Sequence, residues 1–121
     1  MAKKILIIED DEFLRALIMR KLIKEGFEIV EADDGEEGIR KSKTEKLDLI
    51  LLDLVLPKMD GFDVLERIKK DPISAKIPVI ILTNLDQKDN VKKTNGLVVD
   101  YLIKANLDPI EITERIKKAL E

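Results

Sequence analysis

A handful of side chains in this sequence could do chemistry together: Glu9, Asp10, Asp53, Thr83 and Lys104. Each follows an apolar run. Ile5-Leu6-Ile7-Ile8 leads into Glu9-Asp10, Leu49-Ile50-Leu51-Leu52 into Asp53, Val79-Ile80-Ile81-Leu82 into Thr83, and Tyr101-Leu102-Ile103 into Lys104. Three carboxylates brought within a few ångströms repel, and they stay ionised only if something compensates their charge. A hard divalent cation does so. Magnesium takes oxygen ligands, keeps several waters, and commonly uses one or two carboxylates plus a substrate phosphate. Lys104 brings a compact positive charge and Thr83 a hydroxyl donor. That donor set suits phosphoryl transfer, in which a carboxylate forms an acyl phosphate while cations neutralise the equatorial oxygens.

Composition removes several other chemistries. With no Cys, neither disulfides nor a thiolate nucleophile is possible, and with no His, imidazole catalysis and ordinary zinc sites are excluded. Any metal must be held by oxygen. A net charge of −3 leaves no electrostatic footprint for nucleic acid, so direct nucleic-acid binding is not expected. No apolar run approaches the ~20 residues of a membrane helix, and no secretory signal pattern opens the chain. The expected setting is cytoplasmic, without a membrane partner. The charged content of 39% with no Cys and one Tyr is consistent with a heat-adapted source.

Elements must carry these groups to one place. The apolar runs before Glu9 and Asp53 suit strands buried on both faces. Between them lies helical periodicity from Glu12 to Glu25, with Leu14, Leu17, Ile18 and Leu22 on one stripe, stopped by Gly26. A strand over 27–32 follows, then a helix capped by Asp34 and running to about Lys43. After Asp53, a tight loop, Leu54 to Gly61, feeds a helix from about Phe62 to Lys70, broken by Asp71-Pro72. A strand over 78–82, a polar helix over 87–93 and a strand within 97–103 come next. Asp108-Pro109 then supplies a cap and a first-turn proline for a last helix to about Leu120. One domain over 1–121 is expected, ending with this helix and no output segment. The βα unit recurs five times, which implies an α/β fold: a doubly wound, five-stranded parallel sheet with helices on both faces. All strand C-termini then lie along one edge, where open α/β folds bind their ligands.

The ordered motifs Ile7-Ile8-Glu9-Asp10-Asp11, Leu51-Leu52-Asp53 through Pro57-Lys58-Met59-Asp60-Gly61, Ile81-Leu82-Thr83 and Asp100-Tyr101-Leu102-Ile103-Lys104 resemble the receiver domain of two-component response regulators. The resemblance spans the whole chain. It implies the flavodoxin-like strand order 2-1-3-4-5, which makes the strands ending at Glu9 and Asp53 neighbours. It further implies that Asp53 is the phospho-acceptor and that Asp10, Glu9, Asp53 and the Val55 backbone carbonyl hold magnesium. Thr83 would be the hydroxyl that moves onto the phosphoryl group, Tyr101 the aromatic switch that turns inward with it, and Lys104 the phosphoryl-site lysine. The implied partner is a histidine kinase or histidine phosphotransfer protein, with the downstream target unspecified. Asp11 is read as a helix cap. Ala16, Met19 and Ile23 lie opposite the inward stripe of the first helix, with Phe13 nearby. They suit either packing or docking of the phosphodonor.

Two departures stand out. Ala105 replaces the proline that usually follows the lysine through a cis peptide, which leaves a cis bond or a trans bond that aims Lys104 differently. Asn84 replaces a small residue after Thr83 and would crowd the phosphoryl path. Val55 and Leu85 are apolar where polar residues can help place a hydrolytic water, so a long-lived phosphoryl group is expected. The alternatives are a magnesium-dependent phosphohydrolase, which generally needs an acid where Val55 stands, and a degenerate receiver acting only as an interaction module. A flavodoxin-like nucleotide binder fits less well, because the loops at the strand ends are acidic and not glycine-rich.

Overall fold

A computed structural model describes residues 2–106 and 108–121, and of Val91 the backbone. Five strands run parallel: β1 (Lys4–Ile8), β2 (Glu28–Ala32), β3 (Leu49–Leu52), β4 (Val79–Thr83) and β5 (Asp100–Ile103). Their order is β2-β1-β3-β4-β5, which puts β1 beside β3 as the resemblance implies. The helices are α1 (Glu12–Lys24), α2 (Gly35–Thr44), α3 (Gly61–Lys70), α4 (Gln87–Thr94) and α5 (Pro109–Ala119), with a short 3-10 turn at Lys104–Asn106.

The two-residue period of a strand divides the apolar runs between two cores. Leu6, Ile8, Ile50, Leu52, Val79 and Ile81 face α3, where Val64, Leu65 and Ile68 are fully buried. Ile5, Ile7, Leu49, Leu51, Ile80 and Leu82 face the other way, against Ile18 and Leu22 of α1 and Ile112 and Ile116 of α5. Strands buried on both faces explain why these runs are continuous and do not alternate. Helix starts follow local chemistry. Asp11, Asp34, Asp60 and Asp108 each accept a first-turn backbone N–H, and Pro109 opens α5.

Most expected boundaries agree within a residue or two; the fifth strand is the short stretch Asp100–Ile103 within the expected 97–103. Two packing assignments on α1 need correction. Leu17 was expected on the inward stripe but is 39% exposed, whereas Met19, expected on the outer face, packs against the core. Positions 17 and 19 flank Ile18 symmetrically, ~100° to either side at 3.6 residues per turn. Only the rotation of the helix against the sheet decides which of them turns inward. Phe13, Ala16 and Ile23 are exposed as expected.

Candidate functional site

The acidic end of the site grows out of β1 and β3. Asp53 N–H donates to the Ile8 carbonyl (3.1 Å), extending the β1–β3 pairing one residue beyond β3 and setting Asp53 beside the end of β1. Glu9 N–H donates to the Ala32 carbonyl of β2 (3.0 Å). One carboxylate oxygen from each of Glu9, Asp10 and Asp53 can lie within 4.8 Å of the others. Glu9 and Asp53 are buried, while Asp10 is exposed at the rim. Asp11 points elsewhere, accepting from Leu14 N–H (3.0 Å) as the cap of α1, and its own N–H donates to Glu9 Oε2 (3.0 Å).

Lys104 enters from the end of β5. Its Nζ lies 2.6 Å from Asp53 Oδ2, to which it donates a hydrogen bond, and 2.6 Å from Glu9 Oε1. None of the described peptide bonds is cis, Lys104–Ala105 included. Lys104 opens the 3-10 turn and reaches both acids without a proline behind it. Val55 N–H donates to Asp53 Oδ1 (3.0 Å), so each oxygen of Asp53 has one partner. These residues, with Asn84, line an open cleft of about 290 Å³ at the sheet's C-terminal edge.

Electrostatics follow from burial. Withdrawal from water pushes the Glu9 carboxyl above its ordinary value, a shift that Lys104 and the Asp11 N–H only partly oppose. Burial also works against the charge of Lys104, but the contacts with Asp53 and Glu9 outweigh it and hold the ammonium above its ordinary value. Glu9 Oε1 has the Lys104 ammonium, 2.6 Å away, as its partner. Three carboxylates grouped against that one ammonium form a donor set that fits a hard divalent cation.

The remaining expected residues lie at the end of β4 and within β5. Thr83 is fully buried at the end of β4, level with Ile103, and its Oγ1 is 3.5 Å from Leu85 N. Thr83 does not line the cleft; its neighbour Asn84 does. Tyr101 is 7% exposed, its ring packed inward, and its hydroxyl donates to the Leu85 carbonyl (2.8 Å). Burial raises the Tyr101 hydroxyl above its ordinary value. Asn84, expected to crowd the phosphoryl path, does line the cleft; the feature not expected from sequence is the tie between Tyr101 and the β4–α4 loop. The tyrosine's partner is a backbone carbonyl and leaves no mark in the sequence.

The model of the response regulator receiver domain matches residues 5–117. The chain is 37% identical over 99% of its length to the alkaline phosphatase synthesis transcriptional regulatory protein PhoP of Bacillus subtilis, covering 49% of that protein. It thus spans about half the length of the curated relatives it matches. Among solved structures it resembles a receiver domain protein from Methanospirillum hungatei (TM-score 0.91, 29% identity, 99% of this chain and 94% of that one). It also resembles the response regulator protein TrrA of Thermotoga maritima in complex with magnesium and BeF (TM-score 0.86, 30% identity, 98% of this chain and 99% of that one).

Proposed function

The chain belongs to the response regulator receiver domain family, and from that premise we propose that Asp53 is the residue through which it accepts a phosphoryl group. Receivers of this family take phosphate from histidine kinases in two-component signalling and are not substrate-turnover enzymes, and that role is this chain's. The observation that carries the assignment is one contact set: Lys104 Nζ lies 2.6 Å from both Asp53 Oδ2 and Glu9 Oε1, with Asp10 at the rim.

Glu9, Asp10, Asp53 and the Val55 backbone carbonyl would hold magnesium, consistent with three carboxylates grouped against a single ammonium. When bound, the ion supplies charge neutralisation on the phosphoryl oxygens. The rest falls to the chain. An Asp53 oxygen attacks phosphorus, forming the new O–P bond. The bond from phosphorus to the donor nitrogen breaks, and its electron pair leaves with the imidazole of a kinase or phosphotransfer protein. Val55 N–H, on Asp53 Oδ1, holds the carboxylate in one rotamer, and Lys104 offsets the negative charge that gathers around it. Thr83 then donates its hydroxyl to a phosphoryl oxygen. That movement draws on the β4–α4 loop to which Tyr101 is tied, and biases a two-state equilibrium of the surface formed by α4, β5 and α5. The net charge of −3 supports protein partners for these 121 residues and not DNA. No described helix is long and apolar enough to cross a membrane, and a cytoplasmic setting is proposed with it.

The test is incubation with acetyl phosphate and magnesium followed by intact mass. The parent gains one phosphoryl group; Asp53→Asn does not, nor does the parent in EDTA. The adduct outlasts seconds, because Val55 and Leu85 offer no polar group to a hydrolytic water. Absence of the adduct in the parent, from both acetyl phosphate and a phosphorylated kinase, overturns the assignment.

A further inference from the structure

The side chain of Arg15, on the first turn of α1, takes no part in the chemistry above, yet it ends on the turn that carries it. Its Nη1 donates to the Glu9 carbonyl (2.7 Å), and its Nε donates to Glu31 Oε1 on β2 (2.9 Å). The side chain is only 13% exposed. An arginine serving solubility keeps its head in water; this one lies against a backbone carbonyl.

That carbonyl belongs to the peptide joining Glu9 to Asp10. Glu9 is otherwise held at its N–H by Ala32, at Oε2 by Asp11 and at Oε1 by the Lys104 charge. The carbonyl is the remaining polar group, and Arg15 fixes it. Asp10 is exposed, so its direction relative to Glu9 depends on that peptide plane. We propose that Arg15 is a positioning residue for the cation site: braced by Glu31, its guanidinium locks the Glu9–Asp10 peptide and so sets the angle between the two carboxylates. The fork of the guanidinium is what permits this, since it offers one donor to each partner in a fixed plane, which a lysine cannot reproduce. The inference rests on the magnesium reading of Glu9, Asp10 and Asp53.

The test is calorimetric titration of MgCl₂ into metal-free protein, with thermal midpoints in EDTA alongside, for the parent, Arg15→Ala, Arg15→Lys and Glu31→Gln. Residues that orient metal ligands typically contribute 10–100-fold to affinity. Arg15→Ala is therefore expected to weaken magnesium binding about tenfold, with Arg15→Lys and Glu31→Gln showing smaller losses in the same direction. Phosphorylation of Arg15→Ala should recover as magnesium is raised. Lowered midpoints with parental magnesium affinity would make Arg15 a brace between α1 and β2 only, and overturn the proposal. If Arg15→Ala does not fold, Arg15→Lys and Glu31→Gln decide on the same criterion. A parent that takes up no magnesium fails at the earlier step, and removes the cation-site reading together with this inference.

Discussion

At the scale of single residues, Lys104 is the side chain on which the charge balance of the site depends. Its ammonium sits on two carboxylates that are each almost wholly buried, Glu9 and Asp53. Removing one partner of a buried ion pair strands the other, at a typical cost of about 3–5 kcal/mol. Lys104→Met should therefore lose about 3 kcal/mol of stability in EDTA, and magnesium should restore more stability to it than to the parent, since the ion replaces the missing charge. Urea unfolding with and without magnesium measures both. Equal magnesium responses in parent and variant would mean that Lys104 and the ion do not share these oxygens.

At the scale of elements, the loop between β3 and α3 is held by contact too close for a side chain. A Cβ on Gly61 would lie 2.3 Å from the Leu54 Cα and 2.5 Å from its carbonyl oxygen, and the Gly61 N–H already donates to that oxygen (3.1 Å). Backbone cannot yield as a side-chain tip can. Gly61→Ala is expected to cost about 1–3 kcal/mol and to weaken magnesium binding, because the shifted loop contains Val55. The end of α3 supplies a pH-dependent tie. The backbone N–H of Ile73, and after it Lys43 of α2, hold the Asp71 carboxyl below its ordinary value. A carboxylate lowered on folding contributes stability that is complete above its unfolded value, ~3.9, and is lost as pH falls through the lower folded value. The urea midpoint of the parent should exceed that of Asp71→Asn at neutral pH, with the gap closing across that acid window. A gap that persists in acid would assign the effect to shape and not charge.

At the scale of the whole molecule, ion pairs join elements that the chain separates. Glu25, at the C-cap of α1, meets both Lys21 and Lys117, tying α1 to α5. Lys43 and Asp71 tie α2 to the end of α3, and Arg115 of α5 meets Asp100 of β5 and Glu111. Isolated surface pairs contribute about 0–1 kcal/mol, but linked pairs gain weight as temperature rises and desolvation becomes less costly. Calorimetry should find a thermal midpoint above the ~45–65 °C of ordinary domains, falling as salt screens these pairs. A midpoint inside that range and insensitive to salt would remove the heat-adapted reading.

The sequence by itself determined what short-range physics controls. Continuous apolar runs specify strands buried on both faces, aspartates with free carboxylates specify helix starts, and five βα units in succession specify a parallel sheet. Once the sheet is parallel, Glu9, Asp10, Asp53 and Lys104 must arrive along one edge, so the core of the site was legible before any coordinate. The order of the strands came from the resemblance of the motifs and not from periodicity. Tertiary structure decided the rest. It turned Met19 inward and Leu17 outward, because neighbours one residue to either side of Ile18 differ only by the rotation of α1. It brought Lys104 onto Asp53 through a 3-10 turn although Ala105 stands where proline was expected. It also placed Arg15 on the Glu9 carbonyl and Tyr101 on that of Leu85. Those two partners are backbone oxygens, identical at every residue, and only the packing of one element on another selects among them.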